Sequence, residues 1–413
     1  MTNSYQNSTE LMQLAGYPLT LTDVTHACLY GRLNLFLVGD TGEGKTQLAR
    51  DMMGYFGDKA TFILGRNDMD TRELFQQLNP EFYKAVKEGK LTRGMSHVEL
   101  TDKVNYHLIA VDELPNCVPS VRGQLFNLFD GFIELHGKAY PIGNGYSVGI
   151  ATGNLGQKFT ESSNDLGRAL KDRMHVFIDT DYFMPQPSDT LEILAGNTNP
   201  RVNFDTQVQD RSQEIIKRHK AVVDQEMPFE KLIMAAYLRH GLDYAPVKDA
   251  AGKITGSLSK RKMKDQWPAK ITDHEKGSDA ALVLPLSMRA AKSTLRLSQS
   301  LDNVVQEKAG TTIQIDPIES MLNAYKFVAA YSGVLNEAEV EAKHSGDKYK
   351  ALDAVSQLAR RQYTTQADNI RAGLEMVHSG KLNEKVINLF TGRWEFMKDI
   401  LTHLTKGGAQ NEH

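Results

Sequence analysis

Eight consecutive residues combine three glycines with a lysine and a hydroxyl side chain, in the order typical of polyphosphate binding. They read GDTGEGKT and fit the pattern G-x-x-x-x-G-K-[ST]. Glycines let a loop turn tightly, so that successive backbone N–H groups point inward and surround phosphate oxygens. Lys45 would reach the β and γ phosphates, and Thr46 would offer its hydroxyl to Mg²⁺. The residues are Gly39, Asp40, Thr41, Gly42, Glu43, Gly44, Lys45 and Thr46.

The segments on either side of this loop decide how it is interpreted. An apolar run over residues 33–38 predicts a buried strand, and a helical pattern begins at Lys45. A glycine-rich turn with a chance lysine is the alternative explanation. Because strand, loop and helix follow in the order that a phosphate loop requires, the sequence predicts a site for ATP and Mg²⁺.

Two acidic residues follow a second apolar run. Residues 106–111 predict a short buried strand that ends directly before Asp112 and Glu113. Asp112 would hold magnesium directly or through water, and Glu113 would orient and deprotonate an attacking water. A solvated turn is the alternative. The phosphate loop upstream favours the catalytic interpretation.

A third predicted strand, residues 146–154, ends in Asn154. An amide at this point could hydrogen-bond the γ-phosphate or the lytic water, whereas an ordinary turn or helix cap is the alternative. A helical segment that precedes a further strand then carries Arg168 and Arg173. Either arginine could be a solvated helix charge.

Composition indicates a soluble enzyme. Of 413 residues, 41% are hydrophobic and 24% charged, the formal net charge is −3, and no apolar run is long enough to span a membrane. The polar N-terminus is unlike a secretory signal, so the cytoplasm is the expected location. Two distant cysteines, Cys28 and Cys117, indicate neither a disulfide framework nor a zinc site.

Taken together, these motifs resemble those of the AAA+ ATPases, and within them the MoxR-like branch of the helix-2-insert clade. The loop matches Walker A, LIAVDE matches Walker B, and residues 132–141 resemble the branch's inserted β-hairpin, turning at His136 and Gly137. The resemblance implies that Asn154 is the first sensor and that Arg173, in LKDRM, is an arginine finger acting on a neighbouring subunit. Arg168 is the alternative finger. Arg289, in LPLSMRAAKSTLRL, would be the second sensor.

The expected fold class is α/β: a P-loop NTPase parallel sheet, forming an AAA+ core, followed by an all-α lid and a C-terminal helical extension. The expected domains are residues 1–185, 186–340 and 341–413, with a polar insert at about 244–280. A basic cluster at 260–264, beside Trp267, could contact nucleic acid. The overall acidity favours a solvated loop instead.

The function expected from the resemblance is an ATP-hydrolysing, hexameric ring that remodels or assembles a protein client. Relatives of this kind act with a partner that carries a von Willebrand A domain, which here would be a separate protein. The alternative is a nucleic-acid motor or initiator, although no zinc ribbon or clear helix-turn-helix is present. A scaffold that binds ATP without hydrolysing it is a third hypothesis, and Glu113 argues against it because binding alone needs no positioned base.

Overall fold

The computed structural model of the chain describes residues 5–66, 75–154, 171–196, 199–203, 209–263, 266–267 and 279–408. The chain divides into two compact units. The first comprises Met1–Gln225 and Ser300–Ile313, and the second comprises Glu226–Gln299 and Gln314–His413. The division into three domains inferred from composition stays a prediction.

Strands are concentrated in the first unit. They are β1 (Glu10–Leu14), β2 (Tyr17–Thr20), β3 (Leu35–Val38), β4 (Ala60–Leu64), β5 (Gln76–Leu78), β6 (Val98–Leu100), β7 (Leu108–Asp112), β8 (Phe132–Leu135), β9 (Lys138–Pro141), β10 (Val148–Gly153) and β11 (Val176–Asp179). The helices that lie wholly in this unit are α1 (Leu21–Gly31), α2 (Lys45–Gly54), α3 (Pro80–Lys87), α4 (Pro119–Phe129), α5 (Pro187–Gly196) and α6 (Ser212–Asp224).

The core of the first unit is a five-stranded parallel sheet in the order β11-β3-β10-β7-β4. Every residue of β3, β7 and β10 is buried, as expected for central strands that are covered on both faces. The α/β fold and its parallel sheet are therefore confirmed. The three predicted strands are present, and their ends differ from the predicted ones by at most two residues.

Parallel pairing brings the carboxyl ends of these strands to one edge of the sheet. Val38 lies opposite both Gly153 and Asp179, and Leu64 lies opposite Asp112. In open α/β sheets this edge is where ligands bind. The residues that follow β3, β7 and β10 are the ones that the sequence predicts to carry chemistry.

The predicted hairpin is confirmed as the antiparallel pair β8 and β9. His136 and Gly137 both have positive φ, 51° and 74°, which is the backbone conformation of a type I′ two-residue turn. The hairpin directly follows α4, so the helix and the hairpin form one continuous insertion between β7 and β10.

The second unit is mainly helical. Its elements are α7 (Phe229–His240), β12 (Tyr244–Lys248), β13 (Ile254–Ser259), α8 (Lys260–Met263), the first part of α9 (Met288–Ala309), α10 (Pro317–Ala329), α11 (Glu337–His344), α12 (Lys348–His378), α13 (Glu384–Ile387) and α14 (Phe396–Gly408). The expectation of a solvated loop at the basic cluster is wrong over 260–263, which form the short helix α8, and the antiparallel hairpin β12 and β13 precedes it.

Candidate active site

The phosphate loop joins β3 to α2 and depends on its glycines. Gly42 and Gly44 have φ of 97° and 75°, a region that residues with a side chain rarely adopt. A Cβ atom added to Gly39 would lie 2.0 Å from Thr180 Oγ1, so the backbone approaches the end of β11 too closely for any other residue. The Asp40 N–H donates to both carboxylate oxygens of Asp181, at 2.8 and 2.9 Å.

Lys45 is buried at the first residue of α2 and turns back onto its own loop. Its Nζ donates to the carbonyl oxygens of Gly39, at 2.8 Å, and Asp40. Burial lowers the pKa of Lys45, while the nearby carboxylates of Glu113 and Asp181 oppose that shift. A buried ammonium that bonds to carbonyl groups would gain a charged partner from a bound phosphate.

Two hydroxyl groups converge on Asp112. Thr46 Oγ1 lies 3.0 and 3.1 Å from the two carboxylate oxygens, and Thr152 Oγ1 donates to Oδ1. Hydroxyl and carboxylate oxygens are the ligands that Mg²⁺ accepts, and the ion usually takes only one or two from the protein. Thr46 and Asp112 fit that requirement. Over the described ranges no cluster of three or more His, Cys, Asp or Glu side chains could hold a metal by itself.

Glu113 stands on a strained turn immediately after β7. Its φ is 54°, its N–H donates to Thr152 Oγ1 at 3.2 Å, and its carboxylate accepts from Asn116 Nδ2 at 3.4 Å. Burial raises the pKa of Glu113, the adjacent Asp112 raises it further, and Lys45 opposes both effects. A raised pKa makes a carboxylate a better proton acceptor near neutral pH. The position therefore suits a general base.

Asn154 follows the last residue of β10 and lies beside the phosphate loop. Its Nδ2 is 3.4 Å from Thr41 Oγ1. Its Oδ1 is buried and has no hydrogen-bond partner in the part of the chain that the structure describes. A buried amide oxygen requires a donor, and a water molecule would supply one.

A cavity of about 720 Å³ opens from the phosphate loop and Glu113. Its lining also includes Ile193 on α5, Val202, and the N-terminal residues Tyr5 and Gln6. The Tyr5 N–H donates to Asp51 Oδ2 at 2.8 Å, which fixes the N-terminal segment against α2. The volume is typical of a pocket for a small molecule.

Arg173 lies away from this cavity, at the other edge of the same sheet. Its backbone carbonyl accepts from Asn34 Nδ2 at 3.0 Å, and Asn34 precedes β3, whereas the phosphate loop follows β3. Its Nε donates to Asp130 Oδ2 at 2.8 Å, and its guanidinium carbon lies 4.8 Å from the centre of the Phe126 ring. Arg168, the alternative finger, lies outside the described residues.

Arg289 is the second residue of α9 and belongs to the second unit. Its assignment as second sensor stays a prediction. The structure thus brings together Lys45, Thr46, Asp112, Glu113 and Asn154 and separates Arg173 from them. It adds Thr152, Asp181 and Tyr5, which no sequence motif indicated.

Comparison with known proteins agrees with this geometry. Residues 34–174 match the family model described as the AAA domain of the dynein-related subfamily. This part of the chain is therefore similar to AAA ATPase domains, in agreement with ATP hydrolysis as its activity. Assignment to the MoxR-like branch stays a prediction.

Two solved structures are similar to the chain. One is a candidate ATPase from Cytophaga hutchinsonii, with 16% identity, a TM-score of 0.55, and coverage of 83% of this chain and 88% of that one. The other is a full-length MCM homologue from Methanopyrus kandleri, with 12% identity, a TM-score of 0.45, and coverage of 76% and 55%. The first similarity shows a shared fold. A search of curated proteins finds no match.

No helix in the described part of the chain is both long and apolar enough to cross a bilayer.

Proposed function

We propose that the chain is a ring-forming AAA+ ATPase that couples ATP hydrolysis to the remodelling of a protein client, as in the MoxR-like branch. The observation that supports this most is a separation within one domain. The groups suited to bind and hydrolyse ATP meet at the carboxyl edge of the sheet, while Arg173 lies beyond its amino edge.

The proposed hydrolysis assigns one task to each residue. Lys45 and the loop N–H groups would hold the β and γ phosphates, and Thr46 and Asp112 would hold Mg²⁺. The ion would neutralise charge that develops on the phosphate oxygens. Glu113 orients the attacking water and takes its proton, and Asn154 donates to that water or to the γ-phosphate. Thr152 keeps the Asp112 carboxylate oriented towards Thr46.

The position of Arg173 supports the proposal of a ring. The four residues of β3, at about 3.3 Å each, separate the two edges by roughly 13 Å. At that distance Arg173 would serve the nucleotide of an adjacent copy and not its own. The copies would form a closed ring, and a hexamer is the size we propose, with Arg289 as a second sensor.

The client is proposed to be a protein, which the inserted hairpin β8 and β9 would contact. The nucleic-acid alternative, which the resemblance to the helix-2-insert clade leaves open, could use the basic cluster at 260–264 as a contact. Lys260 is buried and bonds to Asp279, and Arg261 donates to the carbonyl of Arg239. Neither side chain is arranged as a phosphate contact, so we retain the protein client, with a von Willebrand A-domain protein as a candidate partner.

Two substitutions test the assigned roles. Lys45→Ala should abolish binding of a fluorescent ATP analogue, because phosphate loses its buried cation. Glu113→Gln should bind the analogue as the wild type does and release no phosphate, because only the base is lost. Lys90→Ala, at an exposed surface residue, is the control. Turnover by Glu113→Gln at the wild-type rate would refute the assignment of the base.

A DNA-binding measurement tests the choice of client class. We expect no appreciable affinity for single-stranded or duplex DNA at physiological salt. Tight binding whose affinity falls steeply with salt concentration would instead support a nucleic-acid motor.

A further inference from the structure

The end of α4 and the segment that carries Arg173 are connected twice. Asn34, a buried residue, donates from Nδ2 to the carbonyl oxygens of Phe129, at 2.7 Å, and Arg173, at 3.0 Å. The same amide accepts from the Gly149 N–H at 2.8 Å, which ties both segments to β10. The backbone on either side of the Asp130–Arg173 pair is therefore fixed.

The side chains make the second connection. Asp130 Oδ2 accepts from Arg173 Nε at 2.8 Å, and the two side chains are only 25% and 23% exposed. The Phe126 ring, one helical turn before Asp130, lies 4.8 Å from the guanidinium carbon. A bond to Nε together with a ring contact restricts rotation of the guanidinium about its long, flexible stem.

Restricting such a group matters because the arginine acts across an interface. Correct orientation supplies a large share of rate acceleration, and a misplacement of about 1 Å can lower a rate about 100-fold. An arginine with several torsion angles would otherwise have to be ordered in each catalytic cycle.

We propose that Asp130 is a positioning residue for Arg173, holding its guanidinium ready for the nucleotide of the adjacent subunit. This inference rests on the proposed role of Arg173 as a finger acting in trans. Asp130 follows the last residue of α4 and directly precedes the turn into β8.

Asp130→Ala should lower kcat by roughly ten- to hundredfold, with KM for ATP and ring assembly unchanged, because binding does not use the pair. Asp130→Asn should retain kcat within about threefold, since its amide oxygen can still accept from Nε, although more weakly. The kcat of Asp130→Glu should be clearly lower than that of Asp130→Asn, because the longer side chain moves the carboxylate by one methylene group. Asp58→Ala, at an exposed aspartate between α2 and β4, is the control.

Mixing subunits separates positioning in trans from a defect within the subunit. Lys45→Ala subunits have no working phosphate loop but carry an intact Asp130–Arg173 pair. Adding them to Asp130→Ala subunits should raise the activity per intact phosphate loop, because intact pairs then face intact loops. Adding them to the wild type should give no such increase.

The outcomes distinguish this inference from the proposal on which it rests. If assembled Arg173→Ala rings hydrolyse ATP at the wild-type rate, the finger assignment fails and the role of Asp130 fails with it. If Arg173→Ala is inactive while Asp130→Ala hydrolyses ATP with the wild-type kcat, only the positioning role is wrong. If Lys45→Ala subunits do not relieve the defect of Asp130→Ala, the positioning role is also wrong, because the defect then lies within the subunit that carries the substitution.

Discussion

Two adjacent carboxylates end β7, and their surroundings give them different properties. Asp112 receives hydroxyl hydrogen bonds from Thr46 and Thr152. The pKa of Glu113 is raised, first by burial and then by the charge of Asp112. Asp112 is therefore suited to hold a cation, and Glu113 is suited to accept a proton. The raised pKa also means that the ionised form of Glu113 is unfavourable in the nucleotide-free protein.

This difference predicts a stability change at the residue scale. A raised pKa means that the folded state favours neutral Glu113, so its contribution to stability is present at low pH and is lost as pH rises through the folded pKa. Glu113→Gln should therefore raise the thermal unfolding midpoint of the nucleotide-free protein at pH 8, and the gain should shrink at pH 5. Differential scanning fluorimetry measures both. A gain that is equal at the two pH values, or a similar one in the control Glu134→Gln, would contradict the electrostatic explanation.

Sequence alone could identify the site residues that lie together in one motif. Lys45 and Thr46 belong to the loop pattern, and Asp112 and Glu113 follow a strongly apolar strand. Thr152 and Asp181 could not be identified in this way, because their contacts with the site depend on which strands are neighbours in the sheet. A threonine or an aspartate near the end of a strand carries no signal by itself.

At the scale of elements, close approach between α4 and β10 holds the inserted helix on the sheet. A Cβ atom added to Gly149 would lie 2.3 Å from Phe129 Cδ1, and the Gly149 N–H is already bonded to Asn34. Gly123, in the middle of α4, has no atom within 4 Å of an added Cβ. A side chain is therefore sterically excluded at Gly149, whereas there is room for one at Gly123.

Alanine substitutions at these glycines should change stability in opposite directions. Gly149→Ala should lower the free energy of unfolding by about 1–3 kcal/mol, because Phe129 must move. Gly123→Ala should raise it by about 0.5–1 kcal/mol, because alanine is the better helix former. Urea unfolding monitored by fluorescence gives both values. A stabilising Gly149→Ala would show that α4 can shift freely on the sheet.

The two hairpins, β8–β9 and β12–β13, show which secondary structure the sequence patterns can predict and which they cannot. The hairpin β8 and β9 was predictable, because the resemblance and a His-Gly turn both indicated it. The hairpin β12 and β13 was not, because β13 is exposed along most of its length and lacks the alternation that marks a half-buried strand. Its turn depends on Asp249, whose Oδ1 accepts from the N–H groups of Ala251 and Lys253.

At the scale of the whole molecule, the second unit is held together by a buried charge cluster that the sequence did not indicate. Asp279 accepts from Arg393 Nη1 at 2.9 Å and lies 3.3 Å from Lys260 Nζ, so residues more than 100 positions apart meet in its interior. Burial alone would raise the pKa of Asp279, but Lys260 and Arg393 outweigh it and lower that pKa. The C-terminal helical segment is therefore joined to the segment that was expected to be a solvated loop.

The cluster predicts unequal effects of removing its members. Asp279→Asn should lower the free energy of unfolding by roughly 3–5 kcal/mol, because two buried cations lose their counter-charge. Lys260→Met should lower the free energy of unfolding by far less. Burial already disfavours the charged form of Lys260, and Asp279 retains its ion pair with Arg393. In the wild type, the contribution of Asp279 to stability should be lost as pH falls through the lowered pKa that Asp279 has in the folded state. Urea titrations on both variants test this, and a larger loss for Lys260→Met would contradict it.

The central claim is that the working unit contains an interface between two copies, with Arg173 of one serving the ATP of the other. The finger would stabilise charge on the γ-phosphate, an effect worth roughly 10³ to 10⁵ in rate in other phosphoryl-transfer systems. Arg173→Ala should thus keep its ATP affinity and lose most turnover, and Lys45→Ala should lose binding.

The direct test is to mix these two inactive variants. In mixed rings some interfaces pair the intact phosphate loop of an Arg173→Ala subunit with the intact arginine of a Lys45→Ala subunit. The account predicts partial recovery of ATP hydrolysis, with a maximum at an intermediate mixing ratio. Mixed rings that form, as shown by co-purification of two differently tagged variants, and yet hydrolyse no ATP at any ratio would contradict it.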